Sequence, residues 1–263
     1  MEHELLIIIP AYNEEKNLPV VLGNMRDAGV FDYADVLVMN DASSDDTNWI
    51  AKSFPVHVVS HVFNLGYGLA IQLGYKYAVR RDYSYVIQMD ADGQHDISNI
   101  ERLYKELKTP DENGKFPDIV IGSRFLKDSP KYDIGFLKMI AIRFFRGLIK
   151  LFTGKKIMDP TSGLQGLSFR AFLYYSLYTN FDDKYPDANM ILQMLLLGFG
   201  IREIPAVMHY RTSGKSMHSG LRPIVYMLRV GMSLLAVRFR YKWLKKDRGA
   251  IEDEHFCQKK LED

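Results

Sequence analysis

Short apolar runs alternate with polar segments through the first half of the chain. We predict buried strands at four of these runs, residues 5–9, 35–39, 85–89 and 118–121. An amphipathic helix capped at Asn13 follows the first strand, and another helix opens within residues 64–70. Strands that alternate with helices predict an α/β domain with a parallel sheet.

Polar clusters follow the predicted strands. They comprise residues 10–15, 40–47, 64–70, 90–95 and 122–125. Open parallel sheets bind their ligands beyond the carboxyl ends of the strands. We therefore expect the five clusters to meet at one edge of the sheet and to form one composite site.

The fourth cluster contains two aspartates one residue apart, Asp90 and Asp92, followed by Gly93. Alternate residues of an extended chain point to opposite sides, so the strand must break at Asp90 for the two carboxylates to converge. Gly93 permits that break. Two convergent carboxylates suit Mg²⁺ or Mn²⁺, whose other positions go to waters and substrate phosphates. The pattern therefore indicates a phosphorylated substrate.

Two other interpretations of this cluster are an ordinary polar turn and a calcium loop. In a calcium loop Asp90, Asp92 and Gln94 would take positions one, three and five, with Glu101 at position twelve. The sixth position of such a loop requires glycine, but here it is His95, and the segment follows a strand rather than a helix. The other four clusters argue against a simple turn.

The ordered motifs resemble those of a family 2 glycosyltransferase with the GT-A fold. They read Pro-Ala-Tyr-Asn-Glu-Glu, Asn-Asp-Ala-Ser-Ser-Asp-Asp-Thr, Asn-x-Gly-x-Gly-x-Ala, Asp-Ala-Asp-Gly-Gln-His and Gly-Ser-Arg-Phe. The similarity covers roughly residues 4 to 215 and implies a Rossmann-like, mostly parallel sheet flanked by helices. The aspartate motif and residues 159–163 are closest to the dolichol-phosphate mannose synthase and polyprenyl-phosphate glycosyltransferase branch.

The resemblance implies a nucleotide-sugar donor, either UDP- or GDP-linked, and a bound Mg²⁺ or Mn²⁺. Asp90 and Asp92 would hold the metal, with Gln94 adding an amide oxygen, and Asp92 would be catalytic. The implied donor-binding residues are Pro10, Ala11, Tyr12, Glu14, Asp41, Gly68, Asp90, Ala91 and Asp92. Asp41 would accept from the nucleobase edge, whereas Tyr12 and Glu14 also fit ordinary helix-start chemistry. Family 2 enzymes invert the anomeric centre, which implies a single displacement by the acceptor.

The acceptor is either a phosphate or a sugar hydroxyl. A phosphate requires cations, and five positions match the phosphate-binding groups of the family, Arg124, Lys138, Arg143, Arg211 and Lys215. The usual motif near the last of these ends in lysine, where this chain has Met217. A hydroxyl instead requires a general base. Asp187 is the only good candidate for that base, because Asn189 stands where an acidic residue is expected.

The formal net charge of +2 conceals an uneven distribution. Residues 134–158 contain six basic residues and residues 204–246 contain nine, with no acidic residue in either segment. The rest of the chain has 19 basic and 32 acidic residues. Both basic segments predict amphipathic helices, the first around residues 137–151 and the second at residues 223–241.

The second helix is too short and too charged to span a bilayer, so we expect it to lie in the interface of an anionic membrane. The alternative for both helices is packing against the catalytic core with their cations solvated. A nucleic-acid partner is not expected, because the basic residues alternate with aliphatic runs rather than with stacking aromatics.

We divide the chain into a GT-A catalytic domain (1–218), a basic interfacial helix (219–246) and a polar tail (247–263). Within the catalytic domain, residues 1–125 would bind the nucleotide sugar and residues 126–218 the acceptor. The lone Cys257 argues against disulfides, and residues 5–9 are too few for a signal peptide. We expect a cytoplasmic protein, peripheral at the inner face of the membrane.

Three functional hypotheses follow. The first is an inverting transferase that moves a sugar to a polyprenyl phosphate. The second is a transferase acting on a sugar hydroxyl of a lipid-linked or cell-wall glycan, and the third is a non-catalytic nucleotide-sugar-binding subunit of a membrane complex. The sequence leaves the sugar, the base and the oligomeric state open, and a homo-oligomer or a small membrane-protein partner fits equally well.

Overall fold

A computed structural model describes residues 3–130, 132, 134–184, 186–210 and 227–241. Two predicted phosphate ligands, Arg211 and Lys215, lie outside these residues. The start of the predicted interfacial helix and the whole polar tail also lie outside them, so the proposed domain boundaries remain predictions.

The centre of the molecule is a seven-stranded sheet with the order β3-β2-β1-β4-β6-β5-β7. The strands are β1 Leu5–Ala11, β2 Asp35–Asn40, β3 His57–Ser60, β4 Tyr85–Gln88, β5 Ile119–Ser123, β6 Gln165–Ser168 and β7 Ile201–Pro205. Strand β6 runs antiparallel to its neighbours β4 and β5, and every other pairing is parallel. The predicted mostly parallel α/β sheet is confirmed.

Helices cover both faces of the sheet. They are α1 Leu18–Asp27, α2 Thr47–Lys52, α3 Tyr67–Arg80, α4 Ser98–Leu107, α5 Phe136–Thr153, α6 Phe169–Ser176 and α7 Ala188–Leu197. Alternate residues of β1 serve two separate cores: Leu6 and Ile8 pack on one face, and Leu5, Ile7 and Ile9 pack on the other. Burial on both faces explains why this strand is a continuous aliphatic run.

The predicted start of the first helix is wrong. Helix α1 begins at Leu18 with Asn17 as its N-cap, whereas Asn13 has a left-handed backbone with φ of 55°. The Asn13 side chain accepts a hydrogen bond from the backbone N–H of Ser44 at 2.9 Å, in the loop after β2. Asn13 therefore joins two loops instead of capping a helix.

Residues 227–241 are helical. Val230, Leu234 and Val237 from this helix are buried in the same core as α3 and α5. The amide of the buried Asn189 on α7 donates to Ser233 Oγ at 2.9 Å and to the Asp182 carboxylate at 2.7 Å. One side of this helix is thus packed against the catalytic fold. Within the part of the chain that the structure describes, no helix has the length and apolarity needed to cross a bilayer.

Candidate active site

The loops after β1 and β2 are joined by reciprocal hydrogen bonds. The Glu14 N–H donates to Thr47 Oγ1 at 2.8 Å, and the Glu15 N–H donates to the Asp45 carboxylate at 3.2 Å. This network fixes the edge of the sheet where the predicted donor residues Pro10, Ala11, Tyr12 and Glu14 lie. Pro10 and Ala11 are buried at the end of β1, while the Tyr12 ring is half exposed and can receive a planar base.

Asp41 is buried just beyond β2, and its carboxylate accepts several hydrogen bonds. The N–H groups of Leu65 and Gly66 donate to it at 2.8 Å each, and His61 Nδ1 lies 2.6 Å from Oδ1. Asp41 therefore organises the loop that leads into α3. Its contact with a nucleobase stays a prediction, and its partner His61 was not predicted.

Gly68 lies at the start of α3 against the backbone of the acceptor half. A Cβ at this position would be 2.3 Å from the carbonyl oxygen of Asp183. No side chain fits there, so packing alone requires this glycine. Its predicted contact with the donor stays a prediction.

Asp90 follows β4 and has one unsatisfied carboxylate oxygen. Oδ2 lies 3.5 Å from His95 Nε2, whereas Oδ1 is buried and has no hydrogen-bond partner. Burial alone would raise the pKa of Asp90, but His95, the Tyr67 hydroxyl and Arg124 together lower it below its usual range. The carboxylate is therefore held in its charged form, with one buried oxygen that a cation would satisfy.

Asp92 and Gln94 complete the predicted metal loop. Gly93, with a φ of 75°, supplies the expected break. Asp92 Oδ1 accepts from the Gln94 N–H at 3.0 Å, and the Gln94 side-chain amide nitrogen donates to the Tyr132 hydroxyl at 2.7 Å. The roles of Asp92 and Gln94 as metal ligands stay predictions.

The residues fit a divalent cation that is shared with a substrate. Two adjacent acidic residues and the orphaned buried oxygen of Asp90 suit Mg²⁺ or Mn²⁺. Among the described residues there is no group of three or more His, Cys, Asp or Glu side chains able to enclose a metal ion. The remaining ligands would therefore have to come from water and from phosphate oxygens.

Arg124 forms an ion pair with Asp159. Its Nε and Nη2 atoms each lie 2.7 Å from the carboxylate of Asp159, which is fully buried. Nη2 also donates to the Thr161 carbonyl and hydroxyl oxygens, at 3.2 and 3.1 Å. The guanidinium thus holds residues 159–163 in place. Its role as an acceptor-phosphate ligand and catalytic residue stays a prediction.

Lys138 lies on the first turn of α5. Although the residue is exposed at the surface, desolvation lowers the pKa of its ammonium, as does Arg124. Asp159, Asp187 and Asp90 act on this pKa in the opposite direction. The charges of Asp187 and Asp90 therefore favour the charged form of Lys138. Arg143, about one and a half helical turns further along, is exposed.

Three neighbours of Asp90 are Tyr67, His95 and Gly163; the first two were not predicted as site residues, whereas residues 159–163 were expected to line the acceptor side. The Tyr67 hydroxyl lowers the pKa of Asp90, and burial followed by the charge of Asp90 raises the pKa of Tyr67 well above its usual value. A Cβ at Gly163 would lie 2.9 Å from Asp90 Oδ2, and His95 is buried beside the same carboxylate. All three occur inside the quoted motifs, but nothing in the sequence indicates that they meet at Asp90.

Comparisons with known proteins identify the family of this chain. Residues 6–175 match the model of Glycosyl transferase family 2. The undecaprenyl-phosphate mannosyltransferase of Micrococcus luteus is 30% identical over 230 residues, which cover 82% of this chain and 88% of the relative. The polyprenol monophosphomannose synthase of Mycolicibacterium smegmatis is 28% identical over 222 residues, covering 82% and 81%.

Among solved structures, glucosyl-3-phosphoglycerate synthase from Mycobacterium tuberculosis, in complex with Mn²⁺, UDP-glucose and phosphoglyceric acid, has the same fold. Its TM-score is 0.64 at 16% identity, over 89% of this chain and 79% of that one. The matched family model extends from β1 to α6 and thus includes the aspartate loop and the Arg124–Asp159 pair. This chain belongs to glycosyl transferase family 2 and has the GT-A fold.

Proposed function

We propose that the protein is an inverting glycosyltransferase that moves a sugar from a nucleotide-diphosphate donor to a polyprenyl phosphate at the cytosolic membrane face. One observation carries the proposal. Asp90, in the loop after β4, keeps one buried carboxylate oxygen without a hydrogen-bond partner in a chain of glycosyl transferase family 2. The names of the two relatives support the choice of acceptor.

On the donor side, Asp90 and Asp92 would hold Mg²⁺ or Mn²⁺, with Gln94 as a further ligand. When bound, the ion stabilises the negative charge that develops on the departing diphosphate. The chain's own contribution is to keep Asp90 ionised through His95 and Tyr67. The edge formed by the two joined loops would bind the base and ribose.

On the acceptor side, a phosphate monoester has a second pKa near 6 and is already an anion at neutral pH. It therefore needs orientation and charge compensation rather than a base. Lys138 is the described cation best placed for this task, because Arg124 is neutralised by Asp159. Arg143 would assist from the next turns of α5.

The membrane assignment rests on the exposed apolar side chains of two helices. On α5 these are Phe136, Leu137, Ile140, Phe144 and Leu151, and on helix 227–241 they are Leu228, Met232, Leu235 and Phe239. A Cβ at Gly231 would lie 3.3 Å from the Phe144 ring, so the two helices meet there. Each helix packs one side on the core and leaves another apolar side exposed. Such a surface suits the headgroup boundary of a bilayer.

A second acceptor class deserves a direct test. Asp187 precedes α7 at the N-cap position and couples electrostatically to both Lys138 and Tyr67. A carboxylate at that place could serve as the general base for a sugar hydroxyl. The third hypothesis, a non-catalytic subunit, predicts no turnover of any donor.

The decisive experiment incubates the purified chain with Mn²⁺ and GDP- and UDP-linked sugars. Parallel reactions contain a short-chain prenyl phosphate or the matching prenol-linked sugar, and the products are identified by mass. We expect a prenyl phosphate carrying one added sugar, and loss of this product with excess chelator. Products formed only on the sugar hydroxyl would reject the phosphate acceptor, and an inert donor panel would favour the non-catalytic subunit.

A further inference from the structure

Helix α5 has three distinct longitudinal faces. At 100° per residue, Ala141, Ile142, Phe145 and Ile149 form the face buried against the core. The exposed apolar side chains described above form the second face. The third face carries Arg143, Arg146, Gly147 and Lys150 and continues around the helix from the apolar face, with Leu151 one turn beyond Gly147.

A depression of about 200 Å³ lies along this third face. It is lined by Arg146, Gly147, Lys150, Lys156, Ile157 and Met158. Three of these six residues are cations and none is acidic. Met158 directly precedes Asp159, and the Phe125 ring lies under both Arg146 and Arg124, so the depression adjoins the Arg124–Asp159 pair.

Arg146 is the most unusual member of this lining. Its guanidinium stacks 4.3 Å from the centroid of the Phe125 ring, and its Nε and Nη2 atoms are buried without a hydrogen-bond partner. Buried donors normally have partners, because an unsatisfied buried donor loses its hydrogen bonds to water without replacement. Two such donors on one cation indicate a missing anion.

The nearby acidic groups do not provide that anion. Asp159 and Glu203 are the carboxylates that act on Arg146 electrostatically. Asp159 is already bound by both arms of the Arg124 fork. The Glu203 carboxylate accepts the N–H groups of Met158 and Asp159 at 2.7 Å each.

We propose that this basic depression is a second phosphate-binding site, which takes the phosphate of an anionic lipid headgroup. A planar guanidinium with two unused donors matches phosphate oxygens, and Lys150 and Lys156 add point charges around them. The exposed apolar face of α5 begins at Leu151 beside the depression, where the acyl chains of such a lipid would lie. The choice of a lipid as the source of the phosphate rests on the proposed membrane location, but the test below does not use turnover.

The test compares full-length variants in their binding to vesicles. Phosphatidylcholine vesicles with and without phosphatidic acid are sedimented with wild type, Lys156→Gln, Lys155→Gln and Arg146→Lys. Lys155 is exposed beside Lys156 but does not line the depression, so the two glutamine variants lose the same charge. Arg146→Lys keeps the charge and removes the fork.

We expect Lys156→Gln to bind the acidic vesicles about tenfold more weakly than Lys155→Gln, and Arg146→Lys to bind about tenfold more weakly than wild type. Equal binding by the two glutamine variants, together with unchanged binding by Arg146→Lys, would mean general charge attraction and overturn the site. Circular dichroism checks folding. If Arg146→Lys does not fold, the comparison of the two lysines decides, because both are at the surface.

A parallel titration with inorganic phosphate, followed by ³¹P line broadening, separates the two sources of phosphate. Broadening that disappears in Lys156→Gln, with vesicle binding equal to that of Lys155→Gln, would overturn the lipid assignment in favour of a soluble phosphate. A failure of glycosyl transfer with intact, Arg146-dependent vesicle binding would reject the proposed function and leave this site standing.

Discussion

The charged groups of the donor edge and of the acceptor face differ in whether the protein itself supplies their hydrogen-bond and ion-pair partners. At the donor edge, carboxylates such as Asp41 and Asp45 are satisfied by backbone N–H groups and hydroxyls within joined loops. At the acceptor face, Arg124 is neutralised by the buried Asp159, while Arg146 keeps two buried donors without a hydrogen-bond partner.

Groups that already have partners hold the loops in place, whereas groups without partners are available to bind a ligand. A network that satisfies its own polar groups is preorganised, and at the donor edge Asp90 Oδ1 is the carboxylate oxygen left buried without a partner among the described residues. The acceptor face is built around cations that gain from an anionic ligand. We therefore expect substitutions on the two sides to change different quantities.

The largest effect is expected at the donor edge from Asp92→Asn. It removes a charge without changing shape, so kcat should fall about 10³-fold, the scale of losing one charge-stabilising group, with little change in melting temperature. The matched control is Glu101→Gln, which removes an exposed carboxylate on the neighbouring helix α4. Activity in the variant close to wild type, or wild-type turnover in excess chelator, would contradict the metal assignment.

The next effect concerns stability at the acceptor face. Asp159→Asn should lower the free energy of unfolding by about 3 kcal/mol, because Arg124 would remain buried without its anion. The control is Asp27→Asn, whose partner Arg26 is exposed, and it should cost less than about 1 kcal/mol. Urea unfolding measures both. Similar small losses in the two variants would show that Arg124 is not held by Asp159 and is available to a phosphate.

A smaller and more selective effect distinguishes the two acceptors. With a prenyl phosphate, Lys138→Gln should raise the acceptor KM about tenfold, and Asp187→Asn should lower kcat less than about tenfold. With a sugar hydroxyl the order reverses, because losing a general base costs about 10²–10⁴-fold. Donor affinity is measured separately in each variant. A collapse in Asp187→Asn with near-normal Lys138→Gln would exclude the phosphate acceptor.

The same contrast explains what the sequence could predict. The loop that carries Asp90, Asp92 and Gly93 beyond β4 was predictable, because a strand, its end and its loop are contiguous in the chain. The contacts of Asp90 with Gly163, of Arg124 with Asp159 and of Asn13 with Ser44 join residues that are far apart in sequence. Local patterns carry no signal for such pairs, so Asn13 was assigned to a helix cap and the pairing of Arg124 with Asp159 was not predicted.

The sequence analysis predicted amphipathic helices at the right places but assigned too few faces to them. Two faces, one apolar and one basic, were expected, whereas α5 has a buried apolar face and an exposed apolar face as well as the basic one. Hydrophobicity alone cannot tell these two apolar faces apart, because both consist of the same residue types. Their separation depends on where α7 and helix 227–241 pack.

The smallest expected effect tests the contact between the two halves. Gly68→Ala should destabilise the protein by about 1–3 kcal/mol, since its Cβ would meet the Asp183 carbonyl oxygen at 2.3 Å and the backbone must move. Gly23→Ala is the matched control. This helical glycine has no atom within 4 Å of an added Cβ, so alanine should stabilise by about 0.5–1 kcal/mol.

Chemical denaturation of both variants gives the comparison, and the acceptor KM of Gly68→Ala reports whether the shift reaches the site. Because residues 182–183 lead towards Asp187, we expect this KM to rise while donor affinity stays within about twofold. Opposite signs of the two stability changes support a close contact between the halves, whereas stabilisation by both alanines would mean that residues 182–183 yield freely and that Gly68 does not set the spacing.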